Sequence, residues 1–268
     1  MRFSSKSLLR SSVSATAEFW LGDSIMKNSF SLLFCVPFLV CGQFASADSI
    51  ISDSDFVDAD WAATSLFQVS SSSQAQQVAT GGNSDQFRQT THMLNPDTSQ
   101  ERVAILYHGF LSGAYNPMTQ GGISSIDYSV DRIVINPPFV GSQVGHRPAL
   151  MQNGVVFTTI SSPLNFASTS WTSGSQLNLT ESDFVDALSL AQFGGDGTHF
   201  SPDFSGSGGS IQFGYFSGNT SPASNLLIVT NHGVDNWSYS ITSIPEPSTA
   251  AFIGLSMLAG LIHRRKSR

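Results

Sequence analysis

Between residues 65 and 242, apolar positions either alternate with Ser, Thr, Gly and Asn or gather in short blocks. This is the pattern of half-buried and fully buried strands. It predicts strands over residues 65–70 (Leu66, Phe67 and Val69 apolar), 102–107, 123–131, 133–136, 154–160, 210–217, 225–231 and 236–242. Asn136-Pro137-Pro138, Asn153-Gly154, Gly194-Gly195-Asp196-Gly197 and Gly206-Ser207-Gly208-Gly209 punctuate the pattern as loops, because Gly and Asn tolerate left-handed backbone and Pro lacks a donor. A short helix is predicted over residues 182–191, with Thr180 as its cap. Strands recurring about every ten residues without intervening helices predict an all-β fold, a single β-sandwich of jelly-roll type. No repeat at a solenoid or propeller period is visible.

Two uncharged apolar runs at the ends break this alternation. From Met26 the chain reads Lys27-Asn28, an apolar stretch from Phe30 to Val40, and Ala45-Ser46-Ala47 before Asp48. That is the charged region, hydrophobic region and small-residue cleavage site of a secretory signal, with Ala45 and Ala47 at the cleavage positions. Residues 1–25 are Ser-rich with Arg2, Lys6 and Arg10, so translation starts either at Met1 with a long leading region or at Met26. The Ser-rich basic segment also suits a transit peptide, but the two hydrophobic runs argue against one. Leu39-Val40-Cys41 is a loose lipoprotein box with Val40 where a small residue is needed.

At the other end, Pro245-Glu246-Pro247 precedes an apolar run from Ser248 to Ile262 and the basic tail His263-Arg264-Arg265-Lys266-Ser267-Arg268. The prolines stop any strand arriving from Tyr239. As a helix the run would reach roughly 22 Å, short of the ~30 Å hydrocarbon core, and its basic end would stay cytoplasmic. This arrangement resembles the PEP-CTERM sorting signal of Gram-negative bacteria that secrete exopolysaccharide. The resemblance implies Pro245, Glu246, Pro247, Arg264 and Arg265 as the sorting element. It further implies an exosortase-type membrane protease as partner and transient membrane insertion through residues 248–262.

Removing these segments changes the composition. Both cysteines, Cys35 and Cys41, fall in the signal, so residues 48–243 hold no disulfide and depend on a core. That domain carries four arginines and no lysine against sixteen acidic residues, a balance of −12. Such a surface repels nucleic acid and anionic lipid, and suits neutral glycans or divalent cations. Residues 54–61 (Ser-Asp-Phe-Val-Asp-Ala-Asp-Trp) resemble the opening strand of secreted jelly-roll modules of concanavalin or laminin-G style. Residues 209–215 resemble a central strand of theirs, and 233–241 a closing one.

No catalytic constellation is present. Glu101 and Glu181 are the two glutamates of residues 48–243, and neither lies in a strand-borne acid/base motif of the kind glycoside hydrolysis uses. His92, His108, His146, His199 and His232 are scattered singly, without the spacing of a zinc motif. Asp53 and Asp55 share a strand face by period two, and Asp235 opens the last strand. These three are candidates for a structural calcium site joining the terminal strands; solvated turn aspartates are the alternative. Trp61, Trp171, Trp237 and Tyr215 are candidates for a sugar-stacking platform. Trp61 and Trp237 fall in the predicted terminal strands, which are expected to pair, and Trp171 has the most loop-like setting. The expectation is an exported, non-enzymatic cell-surface or matrix protein. A lectin-like carbohydrate-binding module is the first rival and a polysaccharide-degrading enzyme the second.

Overall fold

The computed structural model describes residues 48–136, 143–161, 163, 164, 166, 168–193 and 200–244. The signal segment with Ala45 and Ala47, the 194–197 loop and the tail carrying Pro245, Glu246, Pro247, Arg264 and Arg265 lie outside them. Among the described residues no helix is long and apolar enough to cross a membrane.

The described chain forms β1 (Ser49–Asp53), β2 (Trp61–Val69), β3 (Ser71–Gly82), β4 (Asp85–Leu94), β5 (Arg102–Tyr115) and β6 (Ile123–Asn136). It continues through β7 (Gln143–Gln152), β8 (Val155–Thr159), β9 (Thr172–Leu179), β10 (Phe184–Asp186), β11 (Ile211–Ser221) and β12 (Ile228–Ser243). Two short helices, α1 (Pro117–Gln120) and α2 (Ala187–Phe193), interrupt them. The strands make two antiparallel sheets. The front sheet runs β3-β4-β12-β6-β9 with β1 also paired to β12, and the back sheet runs β10-β8-β7-β11-β5-β2. Facing apolar sides give one core, so the fold is the expected β-sandwich.

Local chemistry explains where the strands differ from the sequence pattern. β6 and β12 each run through two predicted strands. In β12 a bulge opposite β6 between Asp235 and Ser238, with Asn236 at φ +48°, switches the inward set. Thr230, His232 and Val234 point inward before it, and Trp237, Tyr239 and Ile241 after it. Asn153 and Gly154, both with positive φ, close a two-residue hairpin between β7 and β8. The predicted helix is split: a 3₁₀ turn over Glu181–Asp183, capped by Thr180, is separated from α2 by β10.

The opening strand is β1, ahead of the expected 54–61 segment. Asp53 Oδ1 accepts the backbone N–H groups of Asp55 (2.8 Å) and Phe56 (3.1 Å). With Phe56 at φ +50°, the chain turns there and crosses to the back sheet. Trp61 and Trp237 therefore do not lie on paired strands. They face each other across the sandwich with ring centroids 5.0 Å apart, edge to face. Phe110 packs against both, and Arg88 lies 5.6 Å over the Trp61 ring while pairing with Asp58.

Beside this aromatic knot the core is polar. His92 on β4, His232 on β12, His108 on β5 and His146 on β7 are all fully buried. The histidines that look scattered in sequence are gathered between the sheets; His199 lies outside the described residues. Ser217 Oγ on β11 links His108 Nε2 (3.0 Å) to His92 Nε2 (3.2 Å). Ser73 Oγ meets His92 Nδ1 at 2.7 Å, and Tyr128 hydrogen-bonds His146. His108 and His146 both stack on Tyr215, at 4.2 and 5.0 Å. His232 packs on Phe166 at 4.3 Å, and neither of its ring nitrogens has a hydrogen-bond partner among the described residues. Burial pushes His92 down to about 3. Burial also holds the other three well below the ordinary histidine range. The nearby Arg88 charge reinforces this at His108, and Arg132 does so at His146.

Candidate functional site

The front sheet carries a row of hydroxyls on its outer face. Ser175 on β9 is the register partner of Ser129 on β6, Ser129 of Ser238 on β12, and Ser238 of Ser52 on β1. Neighbouring strands lie about 4.8 Å apart, so the four serines cross the sheet in a line of roughly 14 Å. Ser129 and Ser238 are in hydrogen-bond contact at 2.7 Å. Alternation puts these serines outward because Tyr128, Val130, Trp237 and Tyr239 fill the core beneath them.

The row runs through two hollows of about 290 and 380 Å³, which both take Asn236 as a wall. The first lies over Ser129, Asp131, Ser173 and Ser175, and the second over Ser52, Asp53, Asp55 and Ser238. Together they form a shallow trough. The bulge in β12 makes the shared wall, since the left-handed backbone at Asn236 turns its amide outward.

Asp131 organises the first hollow. Its Oδ2 accepts from Asn83 Nδ2 and Asn236 Nδ2, each at 2.7 Å, and its Oδ1 accepts from Ser173 Oγ. Burial alone would raise its pKa. The three donors and the Arg132 charge outweigh that and hold the carboxyl below its usual range. Asp131 is therefore a fixed anion. Gly174 leaves room for Arg132, since a Cβ there would lie 2.5 Å from Nη2.

The candidate residues divide. Asp53 and Asp55 both reach the second hollow, but Asp53 acts as a turn cap whose Oδ2 also accepts the Trp61 indole N–H at 2.6 Å. Asp55 Oδ1 accepts from Gln86 at 2.9 Å. Asp235 is fully buried and accepts the N–H groups of Ser84 (3.0 Å) and Asn236 (2.7 Å). Among the described residues no group of three or more His, Cys, Asp or Glu is placed to hold a metal ion. Trp171 stands one position before β9, on the same face as Ser173 and Ser175 by period two. It is half-buried, with its ring edge-to-face on Phe87 at 5.5 Å and its indole N–H donated to Gly81 O at 3.1 Å. Tyr215, Trp61 and Trp237 are core residues and form no platform.

The serine row escapes sequence reasoning although its parts are visible. Ser52-Asp53-Ser54, Ser173-Gly174-Ser175 and Ser238-Tyr239-Ser240 each alternate. Only strand pairing places one serine from each in a common line.

No protein-family model matches the chain, and no curated protein matches it. Among solved structures it is similar to the CBM22-1 xylan-binding domain of Xyn10C from Paenibacillus barcinonensis, at 10% identity over 75% of this chain and 99% of that one, with a TM-score of 0.37. A protein of unknown function from Shewanella oneidensis MR-1 is similar at 11% identity over 77% and 91% of the two chains, with a TM-score of 0.40. The CBM22-1–GH10 modules of Clostridium thermocellum xylanase 10B, complexed with xylohexaose, are similar at 9% identity over 74% of this chain and 29% of that one, with a TM-score of 0.35.

Proposed function

We propose that this chain is an exported, non-enzymatic protein of the cell envelope or exopolysaccharide matrix, and that the trough on the front sheet binds a neutral polysaccharide. The observation that carries the binding role is the four-strand serine row between the fixed carboxylate of Asp131 and the carboxylates of Asp53 and Asp55. Serine hydroxyls donate and accept, carboxylates accept only, and the Asn236 amide can do both. This mixture matches sugar hydroxyls. A shallow trough suits a polymer lying across strands better than a small molecule enclosed in a pocket. The acidic front sheet disfavours polyanions at the trough, which leaves neutral glycans as the fitting class there.

Export rests on the signal segment ending at Ala45-Ser46-Ala47 and on the Pro245-Glu246-Pro247 tail with its basic end. In this proposal an exosortase-type protease cuts at the tail. Replacing Pro245, Glu246 and Pro247 together by alanine leaves the tail on the chain, seen as an unprocessed band in membrane fractions. Equal processing of both proteins would reject the sorting role.

Binding is tested by affinity electrophoresis of the full chain, in mild detergent, through gels containing arabinoxylan, β-glucan or galactomannan. Retardation is expected in at least one. Each hydrogen bond to a sugar contributes about 0.5–1.5 kcal/mol, so Ser129→Ala or Asn236→Ala weakens binding by roughly two- to tenfold. Migration unchanged by every neutral polymer would overturn the proposal.

A further inference from the structure

The back sheet carries a second concavity of different chemistry. It is a groove of about 270 Å³ on the outer face of β5, β7 and β11. Register sets its plan. Ile105, Gly218 and Gly145 form one cross-strand row; Tyr107, Phe216 and Arg147 form the next. The two glycines leave a shallow slot floored by Ile105 and Phe216, which are only 5% and 8% exposed. A Cβ on Gly218 would sit 3.3 Å from Phe216 Cε1 and 3.6 Å from Ile105 Cγ1, and one on Gly145 would sit 3.6 Å from Pro163 Cβ.

Arg147 closes the Phe216 end. Its Nη1 donates to Thr159 O (2.5 Å) and to Ser161 O, which fixes the guanidinium plane. The other three arginines of the domain are committed to the interior. Arg88 and Arg132 are buried, and Arg102 is fully buried as a clamp on Pro222 O, Ser221 Oγ and the 226 carbonyl. Arg147 is only half-buried and lines an open groove. Among the described residues Glu101, one residue before β5, is the one carboxylate lining the groove. It is six residues along the strand from the Arg147 row, or about 20 Å at 3.3 Å per residue. At physiological salt the Debye length is about 8 Å, so neither Glu101 nor the acidic front sheet cancels the field at Arg147.

We infer that this groove binds a uronate residue of an acidic polysaccharide: the apolar ring face lies in the Gly145–Gly218 slot against Ile105 and Phe216, and Arg147 holds the carboxylate. Guanidinium and carboxylate match as planar forks, and a fixed guanidinium loses little freedom on pairing. The site is independent of the trough, so a chain that fails to bind neutral glycans can still bind here.

The test is isothermal titration of the full chain, in mild detergent, with trigalacturonate and with the neutral galactose trimer. The uronate is expected to bind at least tenfold tighter, with affinity falling as salt rises. Arg147→Gln should remove this preference at unchanged binding to neutral polymer gels. Because Arg147 also holds two carbonyls, Gly145→Val is the second variant; its Cβ meets only Pro163, at 3.6 Å, so it fills the slot, keeps the charge, and should weaken uronate binding at least tenfold with melting intact. Equal affinity for the two trimers would overturn the inference. So would uronate binding that survives Arg147→Gln in a folded protein, or tighter binding of a short peptide bearing a free α-carboxylate.

Discussion

Acidification from pH 7 to about 5 is expected to unfold the sandwich in one cooperative step that takes up three to four protons. His92, His108, His146 and His232 are fully buried, and all are held below the ordinary histidine range, chiefly by burial. In the folded protein they are neutral at pH values where the unfolded chain, with histidine pKa about 6.5, binds protons. The unfolded state thus carries more protons below that value. Stability is complete above about pH 6.5 and is lost as the pH falls.

Each such histidine removes about 1.4 kcal/mol per pH unit once the unfolded group is protonated, so four remove roughly 5–6 kcal/mol per unit. A domain stable by about 5–15 kcal/mol exhausts this near pH 5. The groups facing the cluster give no relief. From β4 come Thr90 and the Arg88 cation, from β6 Arg132 and Tyr128, from β11 Tyr215 and Ser217, and from β3 Ser73. No carboxylate is hydrogen-bonded to any of the four rings among the described residues, so imidazolium has no counter-ion there. Asp97 and Asp131 are depressed and lose their stabilising contribution only at lower pH. Tryptophan fluorescence followed from pH 7.5 to 3.5 is the measurement. Replacing His232, whose ring has no hydrogen bond to lose among the described residues, by leucine should flatten the transition by about one proton. A native signal persisting to pH 4, or uptake of a single proton, would contradict this account.

Trp237→Ala is expected to cost about 3–5 kcal/mol in urea unfolding, the range for an aromatic removed from a close-packed core. Trp237 is fully buried and touches Trp61, Phe110 and Tyr239 at 5.0, 5.5 and 5.4 Å between centroids. It is the first inward residue after the bulge, so the cavity opens where the knot meets the turn at Asp53. The two tryptophans differ in polarity. Trp61 donates its N–H to Asp53, whereas the Trp237 N–H has no partner among the described residues. Trp61→Phe should therefore destabilise more than Trp237→Phe, because it leaves a part-buried carboxylate oxygen short of a donor. A loss below about 1 kcal/mol for Trp237→Ala would show that the knot is not close-packed.

How much was legible in the chain varies by element. β11 and β12 announce themselves by alternation of large apolar residues, and the first half of β5 by an apolar block. β3 does not: Ser71–Gly82 is mostly Ser, Gln, Ala and Gly, and its strand state comes from pairing with β4. β7 is obscured by Gly145 and Pro148. Pro148 is tolerated because β8 pairs only with residues 149–152, which leaves its missing donor on an unpaired side. The trough is half legible: the sequence points to Asp53 and Asp55, while Asp131 and the serines carry no signal of their own.

Sequence alone determined an acidic, lysine-free domain without cysteine, built of strands and flanked by two apolar segments with basic ends. Composition and period are local properties, and no contact is needed to read them. Tertiary structure alone decided that four single histidines share one interior and that four serines share one line. Period two says which residues lie on a common face, but not which face is buried when both carry polar groups. It also cannot say which residue on a distant strand stands opposite. Pairing register and the Asp235–Ser238 bulge settle both questions, because they are set by packing between strands up to 192 residues apart, as Ser49 and Ile241 on β1 and β12 are.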